Sequence, residues 1–207
     1  DVLIKPFCEG IEETVHLNVY TTPHGTNRVI DIIGDLGGFA FKDYDSECEN
    51  SFANEKGDRY ITCLNADFTL QKPEYIAATP RGNWTGRTKG GLILSKDCGT
   101  TWERLSMPRG ISKLIDDKLD NIEKPNVDSG WTAISADGRR ILWAAAGGRG
   151  FSNKAVCYTD NESESWQQSV FMDCNGNAAG EHNVKIFSDY YDSELFFAIA
   201  ERDSLGL

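Results

Sequence analysis

Four stretches concentrate the residues whose chemistry could serve a ligand: Asp35-Leu36-Gly37-Gly38, Pro80 to Arg87, Gly147 to Ser152, and Glu201-Arg202-Asp203. They are rich in glycine, tryptophan, arginine and carboxylates. That mixture suits a carbohydrate groove, in which an aromatic face stacks on the apolar side of a sugar while arginines and carboxylates bind its hydroxyls. Trp84 is the foremost stacking candidate, and Arg149 is a candidate for reaching a sugar hydroxyl. The competing reading is a set of ordinary polar loops, and residue types alone leave both open. No metal or cofactor site is expected, because none of the six cysteines lies in a C-x-x-C pair and the three histidines, His16, His24 and His182, are scattered.

The elements that must position these loops repeat along the chain. Gly37-Gly38-Phe39-Ala40-Phe41-Lys42-Asp43 resembles Gly90-Gly91-Leu92-Ile93-Leu94-Ser95-Lys96-Asp97, about 53 residues later, and a weaker copy follows at Ala155 to Asn161. Each copy is preceded by an apolar strand candidate: Arg28 to Gly34, Tyr75 to Thr79, and Ile141 to Ala146. Further strand candidates are Tyr60 to Asp67, Trp131 to Gly138 and Val184 to Asp189, with short fourth strands at Glu103-Arg104-Leu105 and Gln167 to Phe171. Four antiparallel strands repeated in this way are what a β-propeller blade looks like. The expected fold is all-β, a partial propeller of about four four-stranded antiparallel blades at approximately 10–58, 59–110, 128–172 and 183–207, truncated at both ends.

One hairpin carries the sharpest motif. Ser95-Lys96-Asp97-Cys98-Gly99-Thr100-Thr101-Trp102 matches the Asp-box, S-x-D-x-G-x-T-W. Its expected role is structural: the carboxylate accepts turn N–H groups, Gly99 takes a positive φ, and Trp102 packs between blades. A degenerate copy ends at Trp166, with Asn161 in place of the Asp and Ser163 in place of the Gly. The first copy lacks the Trp, with Cys48 and Phe52 as its substitutes. With strands labelled A to D from the axis outwards, the Asp-box is a C-to-D loop. The four chemistry-bearing stretches are B-to-C loops at the opposite end. Trp143 and Trp131, on strands, are expected to pack between blades.

Composition bounds the partners. The chain has 207 residues, 21 Lys+Arg against 32 Asp+Glu, and a formal net charge of -11, which disfavours nucleic acid and anionic membranes. No apolar run approaches the roughly 20 residues of a membrane span. The even cysteine count and two N-glycosylation patterns, Asn83-Trp84-Thr85 and Asn161-Glu162-Ser163, point to a secreted protein. Of the fifteen possible cysteine pairings, Cys48 with Cys63 and Cys157 with Cys174 are the short-range candidates, and free thiols are the alternative.

Gly10-Ile11-Glu12-Glu13-Thr14-Val15 and Ile33-Gly34-Asp35-Leu36-Gly37-Gly38-Phe39, with the Asp-boxes and the Ser135-Ala136-Asp137-Gly138 turn, resemble the second propeller of glycoside hydrolase family 74, the xyloglucan-cleaving β-glucanases. The resemblance covers about Lys5 to Phe197. It implies two seven-bladed propellers facing across a cleft and hydrolysis of β-1,4-glucan links with inversion. Each propeller supplies one catalytic aspartate, and the one in the G-D-[IL]-G-G-F motif, the general acid, corresponds to Asp35. The base would belong to the first propeller, which this chain lacks, so the chain alone is expected to be inactive. Asp31, within the strand, is assigned to packing or a hydrogen bond rather than to catalysis. Departures from the family are the cysteine count, the degraded second Asp-box and a long excursion from Ile111 to Val127. The alternative in another class is a noncatalytic sortilin-type Asp-box propeller that binds protein or peptide ligands. A sialidase is disfavoured because the arginines form no recognisable cluster.

Overall fold

A computed structural model describes residues 14–48, 50–108, 127–147, 156–172, 174–177 and 181–202, and among these no helix occurs. The first antiparallel sheet runs β1 (His16–Thr21), β2 (Val29–Ile33), β3 (Gly37–Phe41), β4 (Asn50–Ser51). The second runs β5 (Ile61–Phe68), β6 (Ile76–Arg81), β7 (Ile93–Ser95), β8 (Glu103–Arg104). The third repeats the order with β9 (Val127–Ile134), β10 (Ile141–Gly147), β11 (Cys157–Thr159) and β12 (Gln167–Gln168), and the fourth pairs β13 (Glu181–Ser188) with β14 (Phe196–Arg202). Successive sheets stack face to face, each strand pairing with its sequence neighbour, which is the construction of a partial all-β propeller.

The strands of the two central sheets are apolar on both faces because each of these sheets lies between two others. On β6, Ile76 and Ala78 face the first sheet with Phe68 and Ile93, while Ala77 faces the third with Leu92 and Leu94. On β10, Ile141, Trp143 and Ala145 face the second sheet, and Leu142 and Ala144 face Val184 and Ile186 of the fourth. A period-2 strand buried on both sides reads as a continuous apolar run, which is why Ile141-Leu142-Trp143-Ala144-Ala145 shows no alternation. Trp143 is 1% exposed, and Trp131 packs its ring 5.7 Å from that of Phe187 in the next sheet. Both lie between sheets.

The β7–β8 turn locks one sheet to the next. The Ser95 hydroxyl donates to Asp97 Oδ1 at 2.8 Å and accepts the Gly99 N–H at 2.7 Å. Asp97 in turn accepts the Thr101 N–H at 2.8 Å and the Thr101 hydroxyl at 2.6 Å. Burial raises the Asp97 carboxyl's pKa, but the bonds from Thr101 and Ser95 outweigh it and hold the group below the ordinary carboxylate value. Gly99 sits at φ +80°, where an added Cβ would come 3.1 Å from the Ala40 Cβ of the first sheet. Trp102 Nε1 donates to Gly99 O, and the ring lies 4.2 Å from Phe52, which is fully buried. Phe52 thus fills space beside the neighbouring tryptophan, whereas Cys48 is exposed and contributes nothing to that packing.

The degenerate copy keeps the same wiring with different atoms. Thr159 replaces the serine, donating to Asn161 Oδ1 at 2.9 Å and accepting the Ser163 N–H at 2.9 Å, while Asn161 Oδ1 accepts the Ser165 N–H at 3.0 Å. Ser163 takes φ +75° in the glycine position, and its hydroxyl accepts the Ser106 N–H from the preceding sheet. Trp166 Nε1 donates to Ser106 O. An amide therefore organises this turn as a carboxylate does the other. The first sheet has a smaller version, Asp43 Oδ1 accepting the Asp45 N–H and the Ser46 hydroxyl.

Both short-range cysteine pairings fail. Cys48, Cys63, Cys98, Cys157 and Cys174 are all free thiols, and Cys63 and Cys157 are buried while their proposed partners are exposed. The Cys63 thiol turns inward and donates to Asn65 O, and burial pushes it up to about 12, so it behaves as an inert core side chain. The glycosylation patterns also acquire another reason. Asn161 is the turn organiser just described, and the Asn83 side chain is bonded both within its own loop and to Arg59 O of the β4–β5 connection.

Replacing Trp102 by alanine is expected to destabilise the chain by about 3–5 kcal/mol in urea unfolding. The exposed Trp84→Ala control should change stability by no more than about 0.5 kcal/mol. Equal effects at the two positions would refute the role of Trp102 as an inter-sheet peg.

Candidate functional site

Asp35 sits at the tip of the β2–β3 turn. Pairing of Ile33 with Gly37 closes the hairpin over Gly34-Asp35-Leu36, a turn tight enough to put Asp35 at φ +62° with its side chain exposed. Gly37 follows at φ +79°, where a Cβ would meet Tyr60 O at 2.8 Å, so no larger residue fits between this hairpin and the next sheet. The Asp35 N–H donates to Thr62 Oγ1 at 2.9 Å, and Oδ1 of Asp35 lies 3.5 Å from the same hydroxyl. Chain from two sheets meets here.

The β6–β7 connection forms the adjoining loop. Asn83 Oδ1 accepts the Arg87 N–H at 3.0 Å and the Thr85 hydroxyl at 2.8 Å, and its Nδ2 donates to Arg59 O at 3.2 Å. These bonds raise Trp84 at the loop tip, where it is 69% exposed. Arg59 lies in the β4–β5 connection, just before the strand that holds Thr62, so this loop and the Asp35 turn rest on one end of the stack. Arg87 adds an ion pair with Asp58, at 3.8 Å. Arg149 lies outside the described residues. Glu201 and Arg202 were expected in a loop but form the end of β14, where they pair with His182 and Glu181, because the β13–β14 ladder runs further than its apolar core.

Two buried carboxylates compete for attention and both are otherwise engaged. Asp31 lies 2.8 Å from His16 Nδ1 on β1, a pair on the face of β2 turned away from the second sheet. Nothing in the sequence was assigned to His16, although an aspartate inside Val29-Ile30-Asp31-Ile32-Ile33 signals that some neighbour must answer it. Asp67, on β5, accepts the Phe68 N–H at 3.0 Å, the Ile134 N–H of the third sheet at 2.9 Å and the Ser188 hydroxyl of the fourth at 2.8 Å. Asn65 makes a parallel bond, accepting the Thr132 N–H at 2.8 Å. Burial lifts the Asp67 carboxyl to about 6 against the pull of those donors. A raised carboxyl is a mark of general acids, but Asp67 is closed in by sheet backbone and cannot reach a polymer.

No protein-family model matches the chain. A xyloglucanase from a Paenibacillus species is 24% identical over 199 residues, 95% of this chain but 16% of that protein's length. The fold is similar to the family 74 xyloglucanase of Xanthomonas campestris, with TM-score 0.65 and 20% identity over 92% of this chain and 22% of that one. It is also similar to a family 74 enzyme of Niastella koreensis, with TM-score 0.60 and 18% identity over 91% of this chain and 21% of that one. These solved structures belong to the family that the motifs resemble. The chain spans about a fifth or less of the length of each of these proteins.

Asp67 gives a signed pH dependence. Its carboxyl titrates at about 6 in the folded chain against 3.8 in the reference, so between those values only the folded state holds the proton. Its contribution to stability is therefore greatest at low pH and falls as pH rises through that window, by no more than about 3 kcal/mol. Urea midpoints of wild type and Asp67→Asn from pH 4 to 7 measure it. A wild-type advantage that grows with pH would refute the assignment.

Proposed function

We propose that this chain is part of a secreted inverting glycoside hydrolase that cleaves β-1,4-glucan links in xyloglucan, and that Asp35 is its general acid. The observation that carries the reading is the Asp35 turn: an exposed carboxyl held at a left-handed position, braced from a second sheet, at the end of the stack that also presents Trp84. Protonating a glycosidic oxygen requires a carboxyl that a polymer can approach, and a turn tip supplies that access. Trp84 would stack on a sugar ring beside it. Arg149 remains a candidate for binding a hydroxyl. Ser95, Asp97, Gly99, Trp102 and Trp166 serve as Asp-box residues that hold the sheets together and take no part in the chemistry.

Inversion needs a second carboxylate about 6.5–9.5 Å away to activate water. Asp31 is taken by His16 and Asp67 is enclosed, and the resemblance to family 74 implies that the base comes from a facing propeller, outside this chain. The chain alone is then inactive. The similarity in sequence and fold to xyloglucanases supports the substrate class.

In the complete polypeptide that carries this chain, Asp35→Asn should lower kcat on xyloglucan by about 10²–10⁴. Trp84→Ala should raise KM by about tenfold, as expected for loss of one stacked ring. NMR of the first products should show the α-anomer, and the β-anomer would exclude inversion. Oligosaccharide release by the isolated 207-residue chain, abolished by Asp35→Asn, would show that the base lies within it.

A further inference from the structure

We infer that Thr62 is a positioning residue for the Asp35 carboxyl, a hydroxyl delivered from the neighbouring sheet by a β-bulge. The inference rests on the reading of Asp35 as general acid and adds a residue that no motif marks.

The local geometry is irregular where regular pairing was available. In the β5–β6 ladder Ile61 pairs with Arg81 and Cys63 pairs with Pro80, so Thr62 is an extra residue with no partner. Such a bulge re-aims one side chain and breaks one step of the ladder. Thr62 also takes φ +36°, a region that β-branched residues rarely enter. Asp35 stands at φ +62° directly opposite. Two residues in an unfavoured backbone region therefore face each other across a sheet boundary, and the bonds that join them all use one hydroxyl. Thr62 Oγ1 accepts the Asp35 N–H at 2.9 Å, which leaves its own proton free to turn towards Asp35 Oδ1, 3.5 Å away.

Packing gives no reason for this arrangement. Ile61 and Cys63 on either side are buried, whereas Thr62 is half-buried and reaches out to the turn. If the fold needed only the bulge, glycine would adopt the left-handed conformation with less strain. A threonine held there retains something glycine lacks, and that is the hydroxyl. Strain of this kind persists where the surrounding structure over-determines it, and it clusters at active sites and ligand clamps. With its N–H held at 2.9 Å and the same hydroxyl 3.5 Å from Oδ1, Asp35 has its turn fixed and its carboxyl oriented towards Thr62 before substrate arrives.

The strain makes the test selective. In the complete polypeptide, Thr62→Gly removes the hydroxyl while relieving the backbone. The expected result is a thermal midpoint equal to or above wild type with kcat on xyloglucan about 10²-fold lower and KM unchanged. Thr62→Ser should restore most of kcat. Wild-type kcat in Thr62→Gly beside an inactive Asp35→Asn would overturn the inference and leave the reading of Asp35 intact. Loss of thermal midpoint in step with kcat in Thr62→Gly, unrelieved in Thr62→Ser, would assign Thr62 to the fold alone and equally overturn it. Full activity in Asp35→Asn, or none in wild type, would remove the reading of Asp35 and this inference with it.

Discussion

The second and third sheets are apolar on both faces, and the rest of the structure follows from the need to cover them. A four-stranded sheet with Ile76 and Ala78 on one side and Ala77 on the other has no water-facing surface, so it is stable only between neighbours. Stacking settles the positions of the strand ends. It gathers the β2–β3 and β6–β7 connections at one end of the stack and the polar turns around Asp97 and Asn161 at the other. The loops proposed to meet a ligand and the structural pegs are thereby separated in space.

The pegs show how loosely sequence constrains a geometry once the wiring is kept. Serine with aspartate and threonine with asparagine make the same turn, because each pair presents one hydroxyl that both donates and accepts and one oxygen that collects N–H groups. The tryptophan that follows is harder to replace. At Trp102 and Trp166 an indole spans to the neighbouring sheet and donates from its ring nitrogen, and only a large amphipathic ring can do both.

Much of this architecture was legible. The apolar runs at 28–34, 75–79 and 141–146 read as strands because burial on both faces removes polar residues from them, and the turns announced themselves through Asp, Gly and Trp at fixed offsets. Asp35 and Trp84 were legible as loop residues with chemistry to offer. What was not legible depends on contacts between sheets. Thr62 sits in an apolar strand with no glycine or proline beside it to announce a bulge, and Asp67 looks like any strand-end aspartate until the third and fourth sheets bring Ile134 and Ser188 to it. The cysteine pairs misled because short spacing in sequence said nothing of which thiols turn inward.

Asp67 also bears on how such a stack comes apart. Repeat arrays that touch only through neighbouring apolar faces can lose units from an end, one interface at a time. Here a single side chain on β5 is bonded to backbone in the third sheet and to a hydroxyl in the fourth, beside Asn65 bonded to the third. Removing the fourth sheet leaves that carboxylate with a vacant acceptor in the interior, so the loss of one unit is felt two units away. The polar seam along the inner strands thus ties the second, third and fourth sheets into one cooperative body.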